Sequence, residues 1–241
     1  MIYVTSDLHG YPLGDFLALL RKVNFRDEDS LFILGDVVDR NGDGGVEMLE
    51  WLLVQPNVFF VLGNHEMMLL SCQFLFEEIT DDSVRQMNAD QLRFLSQWMR
   101  NGAEPTIRSL GQVKKHDPDQ FDAVIEYLLE APAYEFLQVN GRSFLLVHGG
   151  LRDFRPDRPL QDYPVHDLVW HRPQPDERYF SHILTVIGHT PTRHYGCPGR
   201  AFRTDTWIDI DTGAADGGAP MLLRLDDLAE FYADIGADGR T

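Results

Sequence analysis

The sequence predicts an α/β protein whose central β-sheets are mixed and flanked by helices. Up to Leu62, short apolar runs alternate with segments of helical periodicity, which is the order of βαβ units around a largely parallel sheet. A polar motif follows each apolar run directly. Because parallel strands end at one edge of a sheet, where open α/β sheets bind ligands, these motifs predict a functional site there. A later hairpin pattern adds antiparallel pairing.

Three strands and two helices are expected in the first part of the chain. The strands are the apolar stretches at residues 1–6, 31–34 and 58–62. The helices are at residues 12–23 and 44–53, where large apolar side chains recur at three- and four-residue spacing. Pro56 then ends the second helix, since proline cannot continue a helical hydrogen-bond ladder.

Residues 67–132 have a less regular helical pattern and predict a helical insertion packed beside the sheet. Asn88-Ala89-Asp90 is a helix start signal, and the helix is expected to run through Met99 with Trp98 on its apolar side. Asp117-Pro118-Asp119 opens another helix at residues 121–129. The segment has too few strands to be an independent domain, so we expect one domain over residues 1–241.

After residue 133 the period changes from helix to strand. Asn140-Gly141 is a favoured two-residue turn and predicts a hairpin. Further apolar strands are expected downstream, and residues 151–179 are expected to form a long loop with short helical turns. Such a loop is more often functional than not. The predicted strands are residues 134–139, 142–147, 183–187, 207–211, 221–225 and 230–232, and residues 236–241 are expected to fray.

Composition narrows the function classes. The formal charge of −17 opposes binding to nucleic acid or to an anionic membrane, and no apolar run approaches the length of a membrane span. Cys72 and Cys197 are too few for a disulfide framework, and no basic segment precedes the first strand. We therefore expect reduced thiols, no secretory signal and a cytoplasmic location. Oligomeric state is not predicted by the sequence.

The polar residues at the predicted strand ends form a set typical of divalent metal sites. They are Asp7, His9, Asp36, Asn64, His148 and His189. Carboxylate, imidazole and amide ligands without thiolate suit Mn, Fe or Zn, with Mn the first expectation, and do not suit a Cys-rich structural zinc site. Six ligands are enough for two ions with a shared carboxylate. Asp36 is the natural bridge because it lies between the two ligand groups in sequence.

The order of the motifs resembles that of the calcineurin-like metallophosphoesterases. The motifs are Ser-Asp-Leu-His-Gly, Gly-Asp-Val-Val-Asp-Arg, Gly-Asn-His-Glu, His-Gly-Gly and Gly-His-Thr. They are most similar to the phosphoprotein-phosphatase branch, which includes bacterial and phage-type Ser/Thr protein phosphatases and symmetrical diadenosine tetraphosphatases. The resemblance extends from Met1 to about Leu225. It implies an α+β-type sandwich with a dinuclear metal site at the C-terminal strand ends.

The resemblance also implies a role for each site residue. Asp7, His9 and Asp36 would hold one metal ion. The second ion would be held by Asp36 together with Asn64, His148 and His189. His65, paired with Asp39, would be the general acid. Arg40 and Arg172 would bind the phosphoryl group, with Asn64 beside them. A hydroxide bridging the metals would attack phosphorus directly, without a phosphoenzyme.

Three positions depart from the branch pattern. Ser6, Asn41 and Ala103 stand where the branch usually has glycine. Asn tolerates positive φ, so the turn at Asn41 is expected to be kept. The other two departures are expected to change little in the chemistry.

Three functions are compatible with these residues. The first expectation is hydrolysis of phosphoserine or phosphothreonine in proteins, or of small phosphate monoesters. The alternative is symmetrical hydrolysis of diadenosine tetraphosphate or another dinucleoside polyphosphate, which needs a nucleoside pocket that the sequence does not display. A remote third is a non-catalytic metal-binding scaffold. The sequence identifies neither the physiological substrate nor a regulatory partner, and the Arg152, Arg155 and Arg158 cluster has no clear role.

Overall fold

The computed structural model describes residues 1–77 and 88–233 of the chain. Two five-stranded mixed sheets and seven α-helices make up this described part. The strands are β1 (Ile2–Thr5), β2 (Ser30–Leu34), β3 (Val58–Val61), β4 (Tyr134–Val139), β5 (Arg142–Val147), β6 (Ile183–Ile187), β7 (Phe202–Arg203), β8 (Trp207–Asp209), β9 (Met221–Arg224) and β10 (Ala229–Tyr232). The helices are α1 (Leu13–Lys22), α2 (Val46–Leu52), α3 (Asn64–Ser71), α4 (Ala89–Arg100), α5 (Glu104–His116), α6 (Pro118–Glu130) and α7 (Val165–Val169).

The first sheet has the strand order β10-β9-β1-β2-β3 and the second has the order β4-β5-β6-β8-β7. Strands β1, β2 and β3 are parallel, and β9 and β10 continue that sheet with antiparallel pairing. In the second sheet β5, β6 and β8 are parallel, and β4 and β7 are antiparallel edge strands. The prediction of mixed β-sheets flanked by helices is therefore confirmed, and the parallel strands β1, β2 and β3 expected from the first part of the chain lie in the first of the two sheets.

The core lies in layers because successive strand side chains face opposite sides of a sheet. In β2, Leu31 and Ile33 pack with the helices, whereas Phe32 and Leu34 pack with residues of the second sheet. A third apolar cluster covers the far face of the second sheet and includes Leu151 and Tyr163 from the long loop. The two sheets thus form a sandwich, and the parallel strands of both end near one another.

Most predicted elements are present with shifted ends. Asn88 begins α4 with a capping box to Gln91, as its start signal predicted. The loop at residues 151–179 contains a 3-10 turn and α7, also as predicted. The hairpin turn is confirmed, with positive φ at both Asn140 and Gly141.

Some elements were missed or misplaced by the sequence analysis. Helix α5 and the two-residue strand β7 were not separately predicted, and β8 ends at Asp209, two residues earlier than expected. Asp39 and Arg40, rather than Asn41, take the positive φ values of the turn, at 77° and 70°. Residues 236–241, expected to fray, lie outside the described residues, as do residues 78–87 of the expected insertion. In the described ranges, no helix is long and apolar enough to cross a membrane.

Candidate metal and phosphate site

The predicted ligand residues follow five strand ends and meet at one end of the sandwich. Asp7 and His9 follow β1, Asp36 follows β2, and Asn64 begins α3 after β3. His148 and His189 come from the second sheet, after β5 and β6. All six residues are buried, at 5% exposure or less. The structure therefore brings together the whole predicted ligand set.

The backbone at this edge is unusual for residues that are not glycine. Asp7, His9, Asp36 and His189 have positive φ, at 53°, 44°, 55° and 67°. Each such residue costs on the order of 1–3 kcal/mol, and strained positions of this kind concentrate at functional sites. The fold therefore holds these side chains in place at the expense of local backbone stability.

Two groups of donor atoms converge on Asp36. One group is His9, Asp36 and His65, and the other is Asp36, His148 and His189. The Asp36 Oδ2 atom lies 3.4 Å from His9 Nε2, and its Oδ1 atom lies 3.3 Å from His148 Nε2. The two carboxylate oxygens therefore face two different clusters of donors.

Hydrogen bonds leave the Nε2 atoms of two histidines facing the site. His9 Nδ1 donates to the Val38 carbonyl at 2.9 Å, and His148 Nδ1 donates to the Leu34 carbonyl at 2.6 Å. A carbonyl can only accept, so Nδ1 carries the proton and Nε2 is the ring atom available to a metal. Within the described part of the chain, the buried Nε2 of His189 has no hydrogen-bond partner.

Asp7 and Asn64 complete the two clusters. Asp7 Oδ1 lies 3.9 Å from His9 Nε2, while Asp7 Oδ2 accepts a hydrogen bond from the backbone nitrogen of His189 at 2.9 Å. Asn64 Oδ1 lies 2.9 Å from His148 Nε2. Asp7 therefore lies between the first and second sheets, and Asn64 lies beside the second donor group.

Burial shifts the pKa values of these groups in a way that a bound cation would relieve. Burial raises the pKa of Asp7 to about 6 and lowers the pKa of His9 to about 3. The pKa of His189 is well below its usual range because of burial and the nearby His148 charge. Burial opposes the charge on His148, yet Asp36 raises the pKa of that imidazole to about 10. Buried oxygen and imidazole donors that converge in this way fit divalent cations.

A second cluster adjoins the first at Asp39. His65 Nδ1 donates to Asp39 Oδ2 at 2.6 Å, and an Arg40 guanidinium nitrogen lies 3.3 Å from His65 Nε2. Asp39 and His65 are buried, whereas Arg40 is only partly buried. The predicted pair of Asp39 and His65 is present, and the ring atom of His65 that faces away from Asp39 lies beside Arg40.

Arg172 follows α7 in the long loop, and its charge acts on a different histidine from that of Arg40. Its side chain is exposed, and its charge contributes to the low pKa of His189. Arg40, by contrast, contributes to the low pKa of His9. The two arginines therefore place positive charge beside different histidines of the site.

Sequence reasoning missed several residues that support the site. Trp98 was predicted only to pack on the apolar side of its helix and Thr106 was not singled out, but both donate hydrogen bonds to Asp39. Asp209 and Asp211 are also buried near the site, and burial raises the pKa of each well above its usual range. Trp98 lies in the stretch Trp98-Met99-Arg100-Asn101-Gly102, a weaker part of the family resemblance, and this was the available signal.

The chain is similar in sequence to known proteins along most of its length. A sequence profile described as calcineurin-like phosphoesterase matches residues 1–212 of the chain. A symmetrical bis(5'-nucleosyl)-tetraphosphatase of Pseudomonas entomophila is 30% identical over 284 positions, covering 98% of this chain and 95% of that protein. A protein of the same name from Nitrosospira multiformis is 26% identical, and this match covers 100% of this chain and 98% of that protein.

Some similarities are shorter. A symmetrical bis(5'-nucleosyl)-tetraphosphatase of Chromobacterium violaceum is 36% identical over 103 residues, and this match spans only 41% of this chain and 36% of that protein. The Nitrosospira alignment has 286 positions against 241 residues in this chain, so about 45 positions of that protein have no counterpart here.

Solved structures share the fold. A protein proposed to be a diadenosine tetraphosphatase superimposes with a TM-score of 0.61 and 19% identity, over 96% of this chain and 91% of that chain. A serine/threonine phosphatase of Saccharomyces cerevisiae, with similarity to human phosphatase PP5, superimposes with a TM-score of 0.56 and 17% identity. This match covers 96% of this chain and 78% of that chain. At these identities the similarity shows the fold alone.

Proposed function

The chain belongs to the calcineurin-like phosphoesterase family and is a metallophosphoesterase, and we propose that it hydrolyses dinucleoside polyphosphates at the site around Asp36. The observation that supports hydrolysis at this site is the position of Asp36, whose two oxygens face separate groups of metal-binding side chains. A shared carboxylate between two donor groups is the arrangement of two-metal phosphoester hydrolysis. The substrate class rests on the named relatives, two of which align along nearly the whole chain.

The proposed ligands divide between the two sheets. Asp7, His9 and Asp36 would hold one cation. Asp36, Asn64, His148 and His189 would hold the other. The Nε2 atom of His189, which has no hydrogen-bond partner among the described residues, would gain one there. Bound divalent cations neutralise phosphoryl charge and make a water molecule a stronger nucleophile at neutral pH.

The other proposed roles belong to side chains beside the ligands. His65 Nε2 would give a proton to the leaving oxygen, while Asp39 holds the opposite ring nitrogen at 2.6 Å. Arg40 and Arg172 would bind non-ester phosphoryl oxygens, and their charge would stabilise the transition state.

Phosphoserine or phosphothreonine in proteins is the second candidate. It was the first expectation from the sequence, and the fold shared with a yeast serine/threonine phosphatase keeps it open. The relatives that align along the chain have the dinucleotide name instead, so we rank the dinucleotide first. The chain is shorter than the Nitrosospira protein by about 45 aligned positions, which is a reason to test both substrates.

The two candidates differ in their leaving group. Symmetrical cleavage of a dinucleoside tetraphosphate releases a nucleoside diphosphate, which leaves readily. Hydrolysis of phosphoserine breaks the bond between phosphorus and the serine oxygen, and this alkoxide leaves much less readily unless the general acid protonates it. Dependence on His65 is therefore a property that separates the two substrates.

Initial rates of the Mn-loaded protein should be compared on diadenosine tetraphosphate and on a phosphoserine peptide, at equal concentrations below saturation. We expect the higher kcat/KM for the dinucleotide, with ADP as the sole nucleotide product. A higher kcat/KM for the phosphopeptide would reverse our ranking. Failure to hydrolyse these substrates and p-nitrophenyl phosphate would favour the non-catalytic scaffold.

A further inference from the structure

Helices α4 and α5 hold both side-chain oxygens of Asp39. Trp98 Nε1 donates to Asp39 Oδ2 at 2.7 Å, on the same oxygen that His65 Nδ1 contacts at 2.6 Å. Thr106 Oγ1 donates to Asp39 Oδ1 at 2.6 Å. Asp39, Trp98 and Thr106 are all 0% exposed. Because no water reaches these groups, the orientation of the carboxylate is set by Trp98 and Thr106.

The same helices hold the backbone of the turn. The Asp39 backbone nitrogen donates to Thr106 Oγ1 at 2.9 Å, and the Arg40 backbone nitrogen donates to the Gly102 carbonyl at 2.9 Å. Asp39 and Arg40 have positive φ, a conformation that residues with side chains rarely adopt. These hydrogen bonds to Thr106 of α5 and to Gly102, which lies between α4 and α5, therefore help to retain a disfavoured turn.

Close packing at Gly102 supports this interpretation. A Cβ atom at Gly102 would lie 2.9 Å from Cγ of Arg40, which is too close for an ordinary contact. The segment between α4 and α5 thus approaches Arg40 as closely as a glycine permits. The Cα and Cγ atoms of Arg40 are consequently held by contact with that segment as well as by the backbone turn at Asp39 and Arg40.

We infer that Trp98, Gly102 and Thr106, named here the α4–α5 brace, are positioning residues for phosphoester hydrolysis. The brace fixes Asp39, and Asp39 aims His65, so that His65 Nε2 meets the leaving oxygen in one orientation. It also fixes the turn from which Arg40 reaches the phosphoryl group. This inference rests on the proposed role of His65 as general acid. It makes part of the predicted helical insertion a component of the active site.

The size of the effect follows from the chemistry of proton transfer. A positioned general acid contributes about 10²- to 10⁴-fold to rate, and small displacements of a catalytic group can remove much of that. Loss of one brace hydrogen bond leaves Asp39 paired with His65 but less constrained. We therefore expect kcat to fall by about 10-fold, less than on loss of the acid itself, when the leaving group requires a proton.

The test uses near-isosteric variants and two esters that differ in leaving group. Thr106→Val and Trp98→Phe each remove one hydrogen-bond donor to Asp39 and keep most of the packing volume. With Mn present, kcat for phenyl phosphate should fall about 10-fold, while kcat for p-nitrophenyl phosphate should fall less than about threefold. KM for both esters should change little, and Thr106→Ser should recover most of the lost rate.

Two matched controls separate positioning from loss of a buried polar group. Thr185 is also a 0% exposed threonine, and its hydroxyl has no partner within the described ranges, so Thr185→Val makes the same side-chain change without removing a hydrogen bond to Asp39. Trp207 is a 0% exposed tryptophan whose Nε1 donates to the Glu177 carbonyl, so Trp207→Phe removes an indole donor away from Asp39. Both control variants should keep the wild-type ratio of the two rates.

A proton NMR measurement gives a readout apart from turnover. The short bond from His65 Nδ1 to Asp39 should give a downfield proton signal that is absent in His65→Asn. The signal should move upfield in Thr106→Val and stay in place in Thr185→Val. If both brace variants slow the two esters equally, or if the signal does not move, the inference is wrong. If the wild-type protein hydrolyses neither ester, the proposed function itself fails.

Discussion

The Glu66 carboxylate holds the backbone of Asp36 and of the two residues that follow it. Glu66 Oε2 accepts a hydrogen bond from the Asp36 nitrogen at 2.9 Å, and Glu66 Oε1 accepts from Val37 and Val38 at 2.8 and 3.1 Å. Glu66 is 0% exposed. A Cβ at Gly63 would lie 2.4 Å from Asp36 Oδ1 and 2.6 Å from Glu66 Oε2, so only glycine fits between them. The orientation of Asp36 therefore depends on Glu66.

Glu66→Gln should weaken metal binding more than it weakens the fold. In glutamine an NH₂ group replaces one of the two accepting oxygens, so at least one backbone N–H of the Asp36 turn would lose its hydrogen bond. Residues that support metal ligands commonly change metal affinity by about 10- to 100-fold, and we expect a loss in that range, measured by titration with Mn. Glu126→Gln, an exposed change on α6, is the control. Equal Mn affinity in the two variants would show that Glu66 does not support the site.

Asp36→Asn should lower metal content and activity together. Asparagine keeps one oxygen but replaces the other with an amide nitrogen, which cannot bind a cation. We expect at least one of two metal ions to be lost after dialysis and kcat to fall by at least about 100-fold. Metal analysis of the dialysed protein with a parallel rate measurement checks this. Full activity of the Asp36→Asn variant with two bound ions would show that Asp36 is not the shared ligand.

His65→Asn should keep metal and substrate binding while slowing esters with poor leaving groups most. The loss should be about 10²- to 10⁴-fold for phenyl phosphate and much smaller for p-nitrophenyl phosphate, because only the first needs a proton. His182→Asn, at an exposed histidine, controls for the substitution. Equal losses with both esters would argue against His65 as the acid.

Much of this architecture could be predicted from the sequence, for identifiable reasons. Apolar runs followed by polar motifs located β1, β2 and β3 and placed Asp7, Asp36 and Asn64 at one edge. The division into two sheets was not predictable in this way, since the pairing of β1 with β9 joins residues more than 200 positions apart.

Supporting residues were harder to predict than ligands. Trp98 fits the apolar face of a helix, and its hydrogen bond to Asp39 depends on how α4 docks against the turn. Asp209 follows an apolar run as an ordinary strand end would, and its burial depends on the packing of the second sheet. Tertiary contacts decided these roles, and periodicity carries no information about them.

Removal of metal should make stability depend on pH. In the metal-free protein the pKa of His148 is raised to about 10, from an ordinary value near 6.5, chiefly by Asp36 acting against burial. The stability from protonated His148 is fully present below pH 6.5 and is lost as pH rises toward 10. Between pH 7 and 9 we expect a loss of about 2 kcal/mol in the free energy of unfolding.

Urea unfolding at pH 7 and 9, with chelator or with Mn, checks this expectation. The Mn-loaded protein should show a smaller pH dependence, because His148 would bind the cation as a neutral imidazole. The same fall in stability with and without metal would show that His148 is not a ligand.

The central claim is that Asp36 is shared between two metal ions, and an anomalous difference map from crystals grown with Mn tests it most directly. We predict two peaks, one beside each Asp36 carboxylate oxygen, separated by about 3.5–4 Å. The first peak should contact His9, and the second should contact His148 and His189. A single peak at this edge, or peaks that do not contact Asp36, would contradict the account.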